Sequence, residues 1–273
     1  MPELPEVETV RLALSEHLLK CKIFKVKIKS KKLRYSINKN FKNLIEGCKI
    51  ISINRRGKYI IINFDNMLSL LVHLGMTGNF RFCKDYNFIK HDHLIFDFKS
   101  FFLIYNDIRK FGFLKIYDSK ELIKSKHLKK LGPEPFSDEF NISYLSKSLK
   151  KRKINIKSFL MNQNIIAGLG NIYCSEVLFD SKISPRRLTN NLGANEVSNI
   201  YYSIKKILKR AINFGGTSLK DYKDPNGKIG YFKNKLMVYG KENENCSLCQ
   251  KNIKIKKINQ QGRSTFYCNN CQI

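Results

Sequence analysis

The chain has 273 residues, of which 42% are hydrophobic, so it is long enough for two domains and apolar enough to exclude global disorder. Its 51 lysines and arginines outnumber 22 acidic residues, and the net charge of +29 indicates a polyanionic partner, nucleic acid or an anionic membrane surface. No apolar run approaches the ~20 residues of a membrane span, and the acidic, proline-broken start is unlike a secretory signal. We therefore expect a cytoplasmic protein with no membrane partner.

The N-terminal half predicts one helix followed by short strands. Residues 5–19 are typical of a helix, because Pro5 suits a first turn and the apolar residues from Val7 to Leu18 recur on one face. From residue 22 to about 117 the hydrophobic period changes to two. The clearest strand segments are 23–29, 59–64, 68–74, 94–98 and 101–105. Short strands separated by turns indicate an antiparallel sandwich or barrel.

The C-terminal half returns to a helical period after a break at Leu131-Gly132-Pro133, which predicts an interdomain linker. Helices are expected near 142–150, 154–162, 171–181 and 195–214. The glycine-punctuated stretch that follows, 215–230, suits a mobile cover over a site. The overall expectation is an α+β protein.

The eight cysteines form two groups. Cys246, Cys249, Cys268 and Cys271 make a C-x2-C pair, an 18-residue gap and a second C-x2-C pair, which is typical of a zinc ribbon. Four thiolates would fill the coordination shell of one zinc ion, so the metal would be structural. The alternative, a pair of disulfides, is disfavoured in a cytosolic protein. The remaining cysteines, Cys21, Cys48, Cys83 and Cys174, are expected to be small buried thiols.

The N-terminus carries a candidate nucleophile. Removal of Met1 would leave Pro2 with a secondary amine whose pKa, near ~8 for an α-amino group, leaves a useful neutral fraction at pH 7. Such an amine can form a Schiff base with a carbonyl-type carbon, and the charged iminium is a good electron sink for elimination. Glu3 adjoins it. The plainer alternative is that many chains begin Met-Pro and that Glu3 and Glu6 merely cap the helix.

Five further residues are candidates for contacts with a polyanion. Lys58 could donate a proton or hold phosphate, Met76 at a turn between glycines could be an apolar wedge, and His91 could contact phosphate. Asn171 follows Gly-Leu-Gly and is expected to cap a phosphate-binding helix N-terminus. Arg263 lies between the two cysteine pairs, where a hairpin tip would project it. The alternatives are a solvated charge run, ordinary core packing and a lone histidine without a ligand.

Taken together, these motifs closely resemble the bacterial formamidopyrimidine-DNA glycosylase family. The matching stretches are MPELPEVET, RRGKY, HLGMTG, KHDH, NDIRKFG, LGPEP, AGLGNIY, GGTSLKDY and the terminal CSLC…GRSTFYCNNC. They run in order from residue 1 to residue 271, so the resemblance covers the whole chain.

The resemblance implies three structural parts with DNA in the cleft between domains. The expected division is an N-terminal catalytic β-sandwich with its leading helix at 1–130, a linker at 131–141, a helical helix-two-turn-helix domain at 142–235 and a zinc finger at 236–273. The expected partner is damaged double-stranded DNA. We expect a monomer associated with the bacterial nucleoid.

The resemblance also implies a bifunctional glycosylase and abasic-site lyase that excises oxidised purines such as 8-oxoguanine and formamidopyrimidines. Pro2 would attack C1′ of the damaged nucleotide, Glu3 would protonate the deoxyribose ring oxygen, and Lys58 would support β-elimination. Arg263 would grip the phosphates that flank the lesion and assist δ-elimination. Two sets complete the site: DNA contacts at His91, Arg109, Lys153 and Asn171, and the residues that fill the gap left by the flipped nucleotide, Met76, Arg109 and Phe111. The loop at 217–230 would cover the extruded base.

The chain departs from the family pattern at two positions of one loop. Ile108 stands where the family often has Pro, which frees the loop backbone, and Lys110 replaces an Arg, which keeps the charge but loses the planar fork. Two other functions remain open from the sequence. One is an endonuclease VIII-like glycosylase for oxidised pyrimidines, although Leu4 favours the purine-directed branch. The other is a non-enzymatic zinc-ribbon DNA-binding protein.

Overall fold

The computed structural model describes residues 2–217, 231–249 and 252–273. The chain forms two compact units, one from Met1–Lys129 with Phe214–Tyr231 and the other from Lys130–Asn213 with Phe232–Ile273. The break between units at residues 129 and 130 lies one residue from the predicted start of the linker. The helical and zinc-finger segments, predicted as separate domains, share the second unit.

The described residues of the first unit form two antiparallel sheets of short strands, two α-helices and a 3-10 helix at Leu122–Lys124. Its helices are α1 (Leu4–Leu18) and α2 (Phe41–Ile45). Its strands are β1 (Lys25–Ile28), β2 (Ile50–Arg56), β3 (Tyr59–Phe64), β4 (Leu68–His73), β5 (Asn79–Cys83), β6 (Asp92–Asp97), β7 (Phe102–Asn106) and β8 (Phe113–Asp118). One sheet has the order β1-β6-β7-β5 and the other the order β2-β3-β4-β8.

The core of the first unit lies between these sheets. Alternate residues of β3, from Ile60 to Phe64, are buried together with residues of β6 and β7 from the other sheet. The apolar face of α1, from Val7 to Leu18, joins the same core, as its helical spacing predicts. The predicted antiparallel sandwich is confirmed, and the tight turn between β6 and β7 contains Lys99 and Ser100, which separate the predicted strand segments 94–98 and 101–105.

The second unit is helical and ends in a β-hairpin. Its helices are α3 (Ile142–Lys150), α4 (Ile156–Met161), α5 (Asn171–Asp180) and α6 (Ala194–Asn213), and its hairpin strands are β9 (Lys256–Gln260) and β10 (Arg263–Tyr267). The long helix α6 buries one face, from Val197 to Ala211, and exposes a lysine-rich one. The four helices predicted for this half are confirmed to within two residues at each end.

Short elements without a periodic signal were not predicted individually. They include the one-turn helix α2 and the strands β5 and β8, which have only five or six residues each, too few to establish a period. Of the four thiols expected to be buried, only Cys174 is; Cys21, Cys48 and Cys83 are half-buried, and Cys21 and Cys48 pack against the core from its margin. Within the described ranges, the helices include none that is both long and apolar enough to cross a membrane.

Candidate active site and DNA-binding residues

The N-terminal residues Pro2 and Glu3 are buried directly before the first turn of α1. The backbone N–H of Glu3 donates to Glu6 Oε2 at 2.8 Å. The other oxygen of the Glu6 carboxylate accepts both the backbone N–H and the hydroxyl of Thr217, each at 2.8 Å. Glu6 therefore caps its helix, as the plainer alternative held, and also fixes Glu3 to the chain at residue 217.

The close approach of the chain to Glu6 requires a glycine at residue 216. Gly216 has φ +75°, and a Cβ added there would lie 2.9 Å from Glu6 Oε1. The predicted cover loop at 217–230 thus begins at a residue tied to the N-terminal turn. Residues 218–230 of that loop lie outside the described part of the structure.

Lys58 is 7% exposed and lies in the turn between β2 and β3. An ion pair ties this turn to α1, because Arg55 Nε donates to Glu8 Oε2 at 2.8 Å and Arg55 also donates to the Gly57 carbonyl at 3.1 Å. Burial raises the pKa of the Glu8 carboxyl, but its bonds to Arg11 and Arg55 outweigh burial and hold that pKa below its usual range. The sequence RRGKY therefore contributes both the candidate Lys58 and the arginine that positions its turn.

Three residues predicted to fill the DNA gap lie around one cavity of about 560 Å³. Met76, Arg109 and Phe111 line it, with Met76 42% exposed and Phe111 45% exposed. The Arg109 guanidinium lies 4.7 Å from the centre of the Phe111 ring, a cation–π contact. Large apolar side chains held at a surface beside cations suit insertion between base steps. Arg34 also lines the cavity. It belongs to no recognisable motif, so the sequence alone does not predict it as a site residue.

His73, at the end of β4, borders the same cavity. Its ring packs against Tyr59 and Phe113, and its Nδ1 accepts the backbone N–H of Gly75 at 3.1 Å. Burial, together with the positive charge of Lys58, lowers the pKa of His73 to about 4. The imidazole is therefore neutral at pH 7, which leaves Nδ1 free to hold the turn that carries Met76.

His91 occupies a left-handed backbone conformation with φ +73° and is half-buried. Its carbonyl accepts the N–H of Asp107 at 3.2 Å, so the KHDH turn and the loop of Arg109 are joined. Asp107 and Thr77 were not singled out from the sequence, because a single Asp and a single Thr in loops carry no periodic or spacing signal.

The second unit carries the other predicted DNA contacts. Arg263 is exposed at the first residue of β10, beside a two-residue turn in which Gln261 and Gly262 both have positive φ, so the predicted hairpin tip is present. Lys153 is exposed between α3 and α4.

Asn171 does not cap its helix as predicted. The cap position belongs to Gly170, and Asn171 is the first helical residue. Its side-chain amide instead donates to the Ser264 carbonyl at 3.0 Å, next to Arg263. Gly170 holds the cap position in an extended conformation and has no side chain to cap with, while the Asn171 amide fastens the hairpin.

The four cysteines predicted to bind zinc converge on one point. The Sγ atoms of Cys246, Cys249, Cys268 and Cys271 all lie within 4.8 Å of one another. The separations between three pairs are 3.2, 3.6 and 3.7 Å. Tetrahedral zinc with Zn–S bonds of about 2.3 Å requires sulfur separations of about 3.8 Å. The cluster therefore fits one fully ligated, structural zinc ion.

Comparisons with known proteins agree across the chain. The family model of the formamidopyrimidine-DNA glycosylase N-terminal domain matches residues 1–114, and that of the H2TH domain matches residues 131–223. Formamidopyrimidine-DNA glycosylases from Rickettsia felis and from the Wolbachia of Brugia malayi are each 44% identical over 100% of this chain, and the matches cover 98% and 100% of those proteins.

Solved structures of Lactococcus lactis Fpg are also similar. A mutant of that protein in complex with a Fapy-dG-containing DNA superimposes with a TM-score of 0.93 at 38% identity, with 99% of each chain covered. Its complex with an abasic-site-containing DNA gives a TM-score of 0.92 over the same coverage. Full-length identity of this extent, with the N-terminal, H2TH and four-cysteine parts all present, leaves one assignment: the chain belongs to the formamidopyrimidine-DNA glycosylase family and is a DNA glycosylase of base excision repair.

Proposed function

We propose that this glycosylase excises oxidised purines, 8-oxoguanine and formamidopyrimidines, from duplex DNA and then cleaves the strand as an abasic-site lyase. The observation that carries the proposal is the N-terminal turn, in which Pro2 and Glu3 are buried together and Glu3 is fixed by Glu6. An amine nucleophile needs such a fixed position, because reacting atoms must be held ~3–3.5 Å apart in a near-attack geometry.

The chemistry begins after removal of Met1. The damaged base leaves its stack at a cost of a few kcal/mol, and the Pro2 nitrogen attacks C1′ while Glu3 protonates the ring oxygen. The base departs with the proton that the Pro2 amine loses, the C1′–O4′ bond then opens onto the protonated ring oxygen, and an iminium remains on Pro2. The positive nitrogen acidifies C2′, so loss of the C2′ proton expels the 3′ phosphate. A second elimination expels the 5′ phosphate and leaves a one-nucleotide gap, and Lys58 and Arg263 support the two eliminations.

The remaining predicted residues bind and shape the DNA. The DNA backbone is contacted by His91, Arg109, Lys153 and Asn171. The gap left by the flipped nucleotide is filled by Met76, Arg109 and Phe111. The cavity shared by the last three and the exposure of their apolar side chains support this role. The zinc ion bound by the four cysteines supplies no reacting position, and its ligands hold the hairpin that presents Arg263.

The organisation of the molecule is part of the proposal. The domains are the catalytic part at 1–130, the linker at 131–141, the H2TH part at 142–235 and the zinc finger at 236–273. The grouping of residues 214–217 with the first unit agrees with the attachment of Thr217 to Glu6. The protein acts as a monomer on damaged double-stranded DNA at the nucleoid.

Borohydride trapping tests the nucleophile. The wild-type chain is incubated with duplexes that contain 8-oxoguanine, a formamidopyrimidine, an oxidised pyrimidine or an abasic site, and the reduced adduct is mapped by peptide mass spectrometry. We expect adducts on Pro2 with the purine lesions and the abasic site. Pro2→Gly, which keeps a primary amine, should retain partial lyase activity, and a chain that retains Met1 should lose excision and cleavage but still bind damaged duplex.

Two results would overturn parts of the proposal separately. An adduct on Lys58 or another lysine, with Pro2 unmodified, would refute the proline mechanism. Preferential trapping with the oxidised pyrimidine would instead transfer the chain to the endonuclease VIII-like specificity and leave the proline mechanism intact.

A further inference from the structure

We propose that Asp107 and Thr77 are positioning residues that hold the gap-filling side chains in register with one another. The inference rests on the proposed role of Met76, Arg109 and Phe111. Asp107 is fully buried, and every one of its polar atoms bonds to a segment that carries one of the candidate DNA contacts.

The Asp107 carboxylate joins the Met76 turn to the Arg109 loop. Its Oδ1 accepts the hydroxyl of Thr77 at 2.5 Å, and its Oδ2 accepts the N–H of Gly112 at 2.8 Å. The Thr77 hydroxyl in turn accepts the N–H of Arg109 at 3.1 Å. The Thr77 hydroxyl therefore links the turn that carries Met76 to two points of the next loop, the Asp107 carboxylate and the Arg109 backbone N–H.

The Asp107 backbone joins the same loop to the KHDH turn. Its N–H donates to the His91 carbonyl at 3.2 Å, and its carbonyl accepts His93 Nε2 at 2.8 Å and the N–H of Lys110 at 3.3 Å. The network thus spans the three segments that present Met76, His91 and Arg109.

The two turns approach so closely that side chains cannot separate them. A Cβ on Gly75, which has φ +64°, would collide with the backbone of Phe111 and Gly112. Such contact fixes the distance between Met76 and Phe111 only if the 108–111 loop itself is rigid. Ile108 lacks the ring that a proline would use for that purpose, so the rigidity comes from Asp107.

A matched pair of variants at Thr77 tests the proposal. Thr77→Val keeps the shape but removes the hydroxyl, whereas Thr77→Ser keeps it. We measure single-turnover excision of 8-oxoguanine from duplex DNA, cleavage of an abasic site in a single-stranded oligonucleotide, and fluorescence of 2-aminopurine opposite the lesion. The single-stranded substrate has no base stack for the gap-filling residues to enter, so it reports the chemistry alone.

We expect Thr77→Val to slow duplex excision about tenfold or more, since a misplacement of about 1 Å can cost about 100-fold in rate. Its 2-aminopurine signal should fall, its single-stranded cleavage should stay near wild type, and Thr77→Ser should restore duplex excision. Asp107→Asn should act in the same direction. Equal losses on both substrates, or a Thr77→Val variant as fast as wild type on duplex, would refute the positioning role. A wild-type chain that excises nothing would instead refute the proposed function.

Discussion

The neutral, half-buried His73 predicts that the first unit loses stability as pH falls below about 6.5. The pKa of His73 is about 4 in the folded chain, and an unperturbed histidine titrates near 6.5 when the chain unfolds. Because the unfolded chain binds the proton more readily, the free energy of unfolding falls as pH drops from 6.5 to 4 and the contribution then levels off. Protonation would also abolish the bond that His73 Nδ1 accepts from Gly75.

The expected size follows from the two pKa values. A pH of 5 is about 1.5 units below the pKa of the histidine in the unfolded chain, so the unfolded state is protonated while the folded state stays mostly neutral. The free energy of unfolding is therefore about 2 kcal/mol lower at pH 5 than at pH 8. That is a large part of the ~5–15 kcal/mol that stabilises a typical domain.

The assay is urea unfolding followed by far-UV circular dichroism at pH 8 and pH 5, because the chain has no tryptophan to report by fluorescence. His73→Asn keeps an acceptor near Nδ1 but cannot titrate in this range, so its loss between the two pH values should be about 2 kcal/mol smaller than that of wild type. His17→Asn, at an exposed position, is the matched control. If His73→Asn and wild type lost equal free energy, the lowered pKa of His73 would be refuted. Other groups that titrate, including the zinc cysteines, are common to both chains and cancel.

Four further outcomes are expected. Cys249→Ser should lower bound zinc and DNA affinity together, because the zinc ion that stabilises the hairpin of Arg263 loses one ligand. Metal analysis and DNA titration measure the two effects, and full zinc content with full affinity would contradict the prediction. Glu176→Gln should lower the free energy of unfolding in urea by about 1–3 kcal/mol. The buried Glu176 carboxylate accepts the backbone N–H groups of residues 237–239, and an amide in its place leaves one of these N–H groups without an acceptor. An unchanged urea midpoint would contradict the prediction. Affinity should fall about 10³-fold or more between about 50 and 200 mM salt if ~6–10 phosphates are contacted. Lys153→Ala should weaken binding to damaged and intact duplex alike, and a loss confined to damaged DNA would exclude a phosphate contact.

The elements that the sequence predicts well are those with a sustained period. The helix α1 and the strand β3 emerge within a residue of their observed bounds, because each alternates or repeats over several buried positions. The zinc cluster is equally accessible, since C-x2-C spacing is a direct consequence of how a short knuckle presents two thiolates. Local geometry of this kind is encoded within a few residues, so one sequence suffices to infer it.

Contacts between distant segments are not encoded in that way. Glu6 reads as a helix cap, and its bond to Thr217 spans 211 residues that no local pattern connects. Asn171 reads as another cap, yet its amide reaches Ser264. Short polar side chains serve as caps, turn formers and long-range fasteners with the same chemistry. Only the fold decides which of these roles each one takes.

The arginines show that charge, like local sequence pattern, does not reveal which partner a side chain contacts. A net charge of +29 implies a polyanion but cannot say which cations meet it. In the described structure several arginines pair with acids inside the protein: Arg55 with Glu8, Arg81 with Asp92 and Arg187 with Glu196. Their planar forks fix loops and helices, so they are poor candidates for DNA contacts despite their charge. Arg109 instead stacks on the exposed Phe111, and Arg263 lies exposed at a hairpin tip. The fold therefore directs these two arginines outward, while the many lysines supply most of the general positive potential of the surface.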